Sequence, residues 1–274
     1  MAPLLLAAPE ALRAPTHEGV VYSTDQIWSG NMTLGDNVPI ANGATLTIEA
    51  GTQLNVTEDI TITIDGDLDI QGTAESPIEI WGSWVTETSI QARWQGFLLN
   101  SGSSTSIAYT NIADSRGGFD VEIGATLSIS TTNFSENIIG VWGKGMVIGD
   151  GFHCISATTT CLRADGSVSL SSLSSTLSAG TIHVSNGGNA NIGAIDSSND
   201  SDVIVLDDGS TFYGEVHADD FTRLVRGSGQ VSATVTLDSI GIGEVLVDAN
   251  SLGGLVVTGG SPCGSNCTVN SMLV

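Results

Sequence analysis

Apolar and polar residues alternate along most of the chain, and glycines interrupt the alternation at a regular interval. The stretch SVSLSS, residues 167–172, places Val168 and Leu170 on one side of the backbone and serines on the other. Alternation with a period of two is typical of strands, and no stretch of useful length has the period of a helix. The sequence therefore predicts an all-β fold.

The glycines recur about every 21 residues, which is the interval of a repeat protein. From Gly102 onward they stand at Gly124, Gly145, Gly166, Gly188, Gly209, Gly229 and Gly253. Many follow Asn, Asp or Ser, and such pairs supply the positive φ that a tight corner requires. The phrase GATLTIEAG, which begins at Gly43, returns as GATLSIS at Gly124, close to four repeats later.

A second series of landmarks has the same interval. Its apolar residues are Ile112, Phe134, Ile155, Leu173, Ile195, Val216, Leu237 and Val257. The repeat is too short for a propeller blade and lacks the signature LxxLxLxxN, but it fits one coil of a parallel β-helix. We expect about ten coils, in which each short strand pairs with its equivalents above and below around a narrow apolar core.

Three stretches of the chain resemble a known family. Residues 43–80, 94–115 and 124–143 are similar to the repeats of right-handed parallel β-helix proteins of the pectin-lyase-like superfamily, many of which are secreted or surface proteins of bacteria and archaea. The resemblance implies a single-stranded, right-handed coil and an extracellular or cell-surface location. It implies no single activity, because the same scaffold carries lyases, hydrolases, adhesins and passive stalks.

The repeats divide the chain into two parts. We expect residues 1–37 to form an N-terminal tail and cap, with Trp28 and Leu34 covering the first coil, and residues 38–274 to form the β-helix. The C-terminal stretch SPCGSNCTVNSMLV has no evident cap, so we expect the natural chain to continue or another chain to cover this end. An uncapped end also favours end-to-end self-association.

The charge of the chain restricts its partners. With 30 acidic and 7 basic residues the net charge is −23, which repels the phosphates of nucleic acids and anionic membranes. No apolar run is long enough for a transmembrane helix. Two explanations of the acidity stay open, namely solubility in a salty setting and affinity for Ca²⁺, the one cofactor that we consider.

The four cysteines form two local pairs, Cys154 with Cys161 and Cys263 with Cys267. Neither spacing matches a CxxC metal or redox motif, so we predict two local disulfides in an oxidising compartment, with free buried thiols as the alternative. Asn-x-Ser/Thr sequons agree with secretion, although Ser and Thr are frequent enough to produce several by chance. They begin at Asn31, Asn55, Asn133, Asn199 and Asn266.

Three tryptophans mark a break in the repeat between Gly66 and Gly102. We expect an insertion here that projects from one face and carries Trp81, Trp84 and Trp94. Tryptophan rings stack on sugars, so these are candidate glycan-binding residues. The alternative is that they anchor the insertion to the wall of the coil.

The most concentrated polar group is the segment EVHADDF, residues 215–221. On a strand, every second side chain shares one face, and paired carboxylates are what glycoside hydrolysis needs. The candidate catalytic residues of a polysaccharide lyase or glycoside hydrolase are Glu215, His217, Asp219, Asp220 and Arg223. The candidate Ca²⁺ ligands are Asp207, Asp208 and Asp219. The alternative is a solvated acidic face, and the scarcity of basic residues argues against a lyase.

These observations favour a non-catalytic module over an enzyme. We expect a secreted or cell-surface structural or adhesion module, with glycans or other surface proteins as partners. A polysaccharide-degrading enzyme that uses the acidic segment is the alternative.

Overall fold

The computed structural model describes residues 12–13, 21–83, 93–239 and 247–259. Within these ranges all the regular elements are parallel β-strands of one continuous sheet, and there is no helix that could cross a membrane. The sheet winds into a β-solenoid of about nine turns, with repeats of about 22 residues. The predicted all-β fold is confirmed, with slightly fewer and longer turns than we expected.

The described residues of the solenoid form 23 strands. In chain order they are β1 (Leu12–Arg13), β2 (Gln26–Trp28), β3 (Asn31–Leu34), β4 (Val38–Ile40), β5 (Thr45–Glu49), β6 (Gln53–Val56), β7 (Thr61–Ile64), β8 (Asp67–Gln71), β9 (Ile78–Gly82), β10 (Gly96–Leu99), β11 (Ser104–Ala113), β12 (Gly117–Val121), β13 (Thr126–Ser135), β14 (Ile139–Gly143), β15 (Met146–Ile155), β16 (Thr160–Ala164), β17 (Ser167–Thr176), β18 (Gly180–Val184), β19 (Asn189–Ser198), β20 (Asp202–Leu206), β21 (Thr211–Asp219), β22 (Arg223–Ser239) and β23 (Val247–Gly259).

The strands stack into three faces. Face A consists of β2, β5, β8 and the first halves of the odd-numbered strands from β11 to β21. Face B consists of β1, β3, β6, β9 and the second halves of the same odd-numbered strands. Face C consists of β4, β7, β10 and the even-numbered strands from β12 to β20. The last two strands, β22 and β23, each run through all three faces.

The segment that we expected to be a tail and cap contains strands that already belong to the parallel sheet. Strand β1 pairs with β3, and β3 pairs with β6. Trp28 and Leu34 are both buried in the apolar core. The core therefore begins before residue 38.

The glycines between faces C and A serve two different purposes. Gly124 has a φ of +87°, which is the conformation that we predicted for such corners. Gly166 is needed for space instead, since a Cβ there would lie 2.3 Å from the carbonyl oxygen of Lys144 in the preceding turn. The regular glycines thus mark both tight corners and close approaches between turns.

Side chains at equivalent positions form columns along the solenoid, and the columns correct one of our expectations. Our second landmark series combines residues from different columns. Ile112 and Phe134 stand in one column, whereas Leu173, Ile195 and Val216 stand in another. The exposed fraction of Ile155 is 48%, and its neighbour Cys154 occupies the inward position instead.

The core contains a row of aromatic side chains. The rings of Phe97 and Phe119 stack at 4.8 Å between centroids, and those of Phe134 and Phe152 stack at 4.7 Å. These contacts join successive turns, because the residues of each pair come from neighbouring turns. The apolar interior is therefore continuous from turn to turn.

The corner between faces B and C, called the B–C corner below, has a fixed two-residue pattern. Its first residue has a positive φ, and its second residue points inward. The first residues are Asp114, Glu136, Ser156, Leu177, Asn199 and Asp220. The second residues are Ser115, Asn137, Ala157, Ser178, Asp200 and Phe221, all of them buried.

Asp200 is a buried carboxylate within this corner, with an exposed fraction of 2%. Its Oδ1 accepts a hydrogen bond from the backbone N–H of Ser178 at 2.7 Å. Its Oδ2 accepts hydrogen bonds from the hydroxyls of Thr181 at 2.7 Å and Ser197 at 2.8 Å. The carboxylate is satisfied by three donors, and it joins its own turn to the preceding one.

A disulfide joins Cys154 in β15 to Cys161 in β16 across the B–C corner, with 5.8 Å between the two Cα atoms. Both cysteines are buried, and Ala157 lies between them at the inward corner position. The first predicted pair is present in the structure. The second pair, Cys263 and Cys267, lies outside the described residues.

We predict that Asp200→Ala lowers the free energy of unfolding by about 3 kcal/mol, since it leaves three buried donors without their acceptor. The measurement is urea unfolding, followed by circular dichroism. Asp200→Asn keeps one acceptor oxygen, so it should lower the free energy of unfolding by a smaller amount. The control is Asp208→Ala at an exposed corner, where we expect a change within about 0.5 kcal/mol. Equal losses at both positions would contradict the role of Asp200.

Candidate functional site

Strand β21 places Glu215, His217 and Asp219 on the outward side of face B, while Val216 and Ala218 between them are buried. The outward placement agrees with the alternation expected from the sequence. In the column of His217, the neighbours are Asp196 in the preceding turn and Thr236 in the next. Asp220 follows at the exposed B–C corner with a φ of +46°.

Arg223 lies on face C, in the strand that follows this corner. Its guanidinium donates two hydrogen bonds to the carboxylate of Asp202, one from Nε at 2.5 Å and one from Nη2 at 3.0 Å. Arg226 binds the same carboxylate, with 3.3 Å between its Nη2 and Oδ2 of Asp202. The structure thus pairs Arg223 with a carboxylate of face C, whereas the acidic side chains of β21 project from face B.

The candidate Ca²⁺ ligands lie at two different corners. Asp207 and Asp208 follow β20 at the corner between faces C and A, and Asp219 ends the face B segment of β21. Oδ1 of Asp207 lies 3.3 Å from Nε2 of His183. Across the described ranges, no group of three or more His, Cys, Asp or Glu side chains is placed so that it could hold a metal ion.

The tryptophans of the irregular segment have different surroundings. Trp81 is half-buried on face B, in register with Asn55 and Ala113. Trp94 has an exposed fraction of 0%, and its Nε1 donates to the carbonyl oxygen of Ala113 at 2.9 Å. Trp94 also packs edge-on against Phe97, so its ring belongs to the core. Trp84 lies outside the described residues.

Our sequence reasoning missed a cluster of charged residues on face C around Trp142. Lys144 Nζ lies 4.1 Å, and Arg163 Cζ 4.5 Å, from the centroid of the Trp142 ring. Such distances are those of cation–π contacts. Because two cations already lie against this ring, the ring is not a free platform for a sugar.

Asp165 is the centre of the same cluster. Its carboxylate accepts hydrogen bonds from Arg163 Nε at 3.0 Å, from Trp142 Nε1 at 3.1 Å and from Asn186 Nδ2 at 2.8 Å. The hydroxyl of Ser185 donates to it as well. Burial, the largest single influence, raises the pKa of Asp165, but these four partners together outweigh it and lower the pKa to about 2.

Lys144 joins two carboxylates of the preceding turn. Its Nζ lies 2.8 Å from Oδ1 of Asp120 and 2.6 Å from Oε1 of Glu122. Burial raises the pKa of Asp120, and the contact with Lys144 only partly opposes this. Burial lowers the pKa of Lys144, but the two carboxylates outweigh it, so that the pKa is raised and the amine stays protonated.

Between residues 93 and 239 the basic side chains share one side of the solenoid. Every Lys and Arg in this range lies on face C or in a segment directly before or after it. They are Arg93, Arg116, Lys144, Arg163, Arg223 and Arg226. The repeat itself could have revealed this arrangement, because Asp120, Trp142, Arg163 and His183 follow one another at intervals of 20 to 22 residues and form one column.

No known protein-family model matches the chain, and no curated protein is similar enough to be counted as a relative. The fold is therefore established by the structure, and the pectin-lyase-like resemblance stays a hypothesis.

We predict that Asp165 stabilises the fold above about pH 4 and that this contribution is lost as the pH falls towards about 2, because the folded pKa is depressed. The loss should be about 1 to 2 kcal/mol. Urea unfolding at several pH values measures it. Asp165→Asn should have a flatter profile in this window, whereas the exposed control Asp208→Asn should follow the wild type. Parallel profiles for wild type and Asp165→Asn would refute the prediction.

Proposed function

We propose that the chain is a non-catalytic structural or adhesion module of a secreted or cell-surface protein. The observation that carries the proposal is the unbroken stacking of turns, in which outward polar groups bind equivalent groups of the next turn. Glycans and other surface proteins are the proposed partners.

The dimensions of the fold suit a spacer. Turns of a parallel sheet are separated by about 4.8 Å, so about nine turns form a rod of roughly 43 Å. From β2 to β22, each described turn is joined to its neighbours by three sets of backbone hydrogen bonds and by the apolar core. A rod of this kind resists bending, and that property suits a module which holds other parts of a protein away from a surface.

Several outward polar groups are occupied by contacts with neighbouring side chains, most of them in an adjacent turn. Asn111 donates to Glu79 at 2.6 Å, and Asn133 donates to Asn111 at 2.6 Å. Asp165 receives four donors, and Arg223 is paired with Asp202. A general acid or base must reach a substrate atom, which is hard to reconcile with groups held in this way. This supports a scaffold over an enzyme.

Two further observations support the proposed location. The disulfide between Cys154 and Cys161 is of a kind that persists in oxidising compartments. The resemblance of the repeats to right-handed β-helix proteins of the pectin-lyase-like superfamily points to the same secreted or surface setting. Both observations support the proposal that the module lies outside the cytoplasm.

A turnover assay tests this proposal. The purified chain, incubated with acidic and neutral polysaccharides with and without Ca²⁺, should release neither unsaturated products nor new reducing ends. Variants His217→Ala and Asp219→Ala should behave as the wild type does in glycan-binding measurements. Cleavage that depends on Ca²⁺ and is abolished by Asp219→Ala, but not by the exposed control Glu75→Ala, would replace the scaffold with the polysaccharide-degrading alternative.

A further inference from the structure

The winding of the chain brings the sequons to one side of the solenoid. Of the five, four lie within the described residues, and all four are on face B or at the corner where face B ends. Asn31 is in β3, Asn55 is in β6, Asn133 is in the second half of β13, and Asn199 follows β19. Their positions in the sequence give no hint of this common location.

Two of the three sequons within strands, those of Asn55 and Asn133, have constrained amides, whereas Asn31 at the start of β3 is exposed. Asn133 Nδ2 donates to Oδ1 of Asn111 at 2.6 Å, within a chain of hydrogen bonds that continues to Glu79. Asn55 is half-buried and lies in register with Trp81. A large group attached to either amide would have to displace side chains of the adjacent turns, which lie only about 4.8 Å away.

Asn199 is different because it is the first residue of the B–C corner, where its φ is +57° and its side chain is exposed. Its Nδ2 contacts only the hydroxyl of Ser198 next to it, at 3.0 Å. The equivalent corners of other turns carry side chains as different in size as those of Ser156 and Leu177, and the exposed fraction of Leu177 is 61%. The side chain at this position therefore points into solvent, where an attached group meets no side chain of the adjacent turns.

The rest of this sequon is also well placed. Asp200, its middle residue, points inward and is held by three hydrogen bonds. Ser201, which supplies the hydroxyl of the motif, is exposed like Asn199. The two residues that an oligosaccharyltransferase recognises therefore both face solvent, while the residue between them fixes the corner.

We propose that Asn199 is an N-glycosylation site. The donor is a lipid-linked oligosaccharide diphosphate. The side-chain nitrogen forms a bond to C1 of the first sugar, the bond from C1 to the diphosphate oxygen breaks, the amide loses one proton, and the lipid diphosphate leaves. The inference rests on the secreted location in the proposed function.

A glycan at Asn199 would project from the B–C corner over the edge of face B. Face A, on the other side of the solenoid, would stay uncovered. Face A carries short polar side chains in most turns, among them Ser104, Thr126, Ser167 and Asn189. The glycan would thereby direct contacts of the rod with other molecules towards face A.

The test is secretion of the chain from a eukaryotic cell line, with intact mass measured before and after peptide-N-glycosidase treatment. We expect an enzyme-sensitive mass increase, with the glycan on the peptide that contains Asn199. Asn199→Gln and Ser201→Ala should each remove the glycan from this peptide, and Ser201→Ala keeps the asparagine itself. Asn133→Gln is the matched control and should keep the glycan.

Two results would overturn the inference, namely a secreted chain without any glycan and a glycosylated chain in which the peptide that contains Asn199 is unmodified. The inward-pointing residues are unchanged in these variants, so we expect all of them to fold. The polysaccharide turnover assay uses unglycosylated protein from a bacterial host, and its outcome is independent of the modification. Failure of this inference and failure of the proposed scaffold function are therefore distinguishable.

Discussion

The structure depends on one constraint, which is that each residue lies about 4.8 Å from its equivalent in the next turn. Each side chain must therefore pack against, or bind, the residue about 22 positions away. In the core this produces stacked aromatic pairs such as Phe97 with Phe119. At the B–C corner it produces hydrogen bonds between neighbouring inward residues, as between Asn137 and Ser115.

The same constraint explains where the charges lie. Like charges in one column would repel one another at this spacing, and the chain has a large excess of carboxylates. Some of the few cations bind carboxylates of the preceding turn. Lys144 lies between Asp120 and Glu122, and Arg223 binds Asp202. The charged residues on face C thus join turns together, which agrees with a structural role.

The strands and corners could be predicted from the sequence because they depend on local patterns, namely alternation and regular glycines. Contacts between turns could not, because they depend on register. When the length of a repeat changes by one or two residues, a side chain moves to another column. This is why the side chain of Ile155 faces solvent and that of Cys154 faces the core. The sequence left open whether Trp94 binds a glycan or anchors the insertion, and its buried position agrees with the anchor. The cluster around Trp142 was missed, since its members lie on different turns.

The register of adjacent turns is the central claim, and cysteine cross-linking tests it most directly. Ser106 and Ser128 are in register on face A, so their Cα atoms lie about 4.8 Å apart, within disulfide reach. Ser106 and Ser130 are offset by two residues and lie about 8 Å apart. Mild oxidation, read by peptide mass spectrometry, should link the double variant S106C/S128C and leave S106C/S130C unlinked. Linkage of the offset pair instead would contradict the stacking on which the account is built.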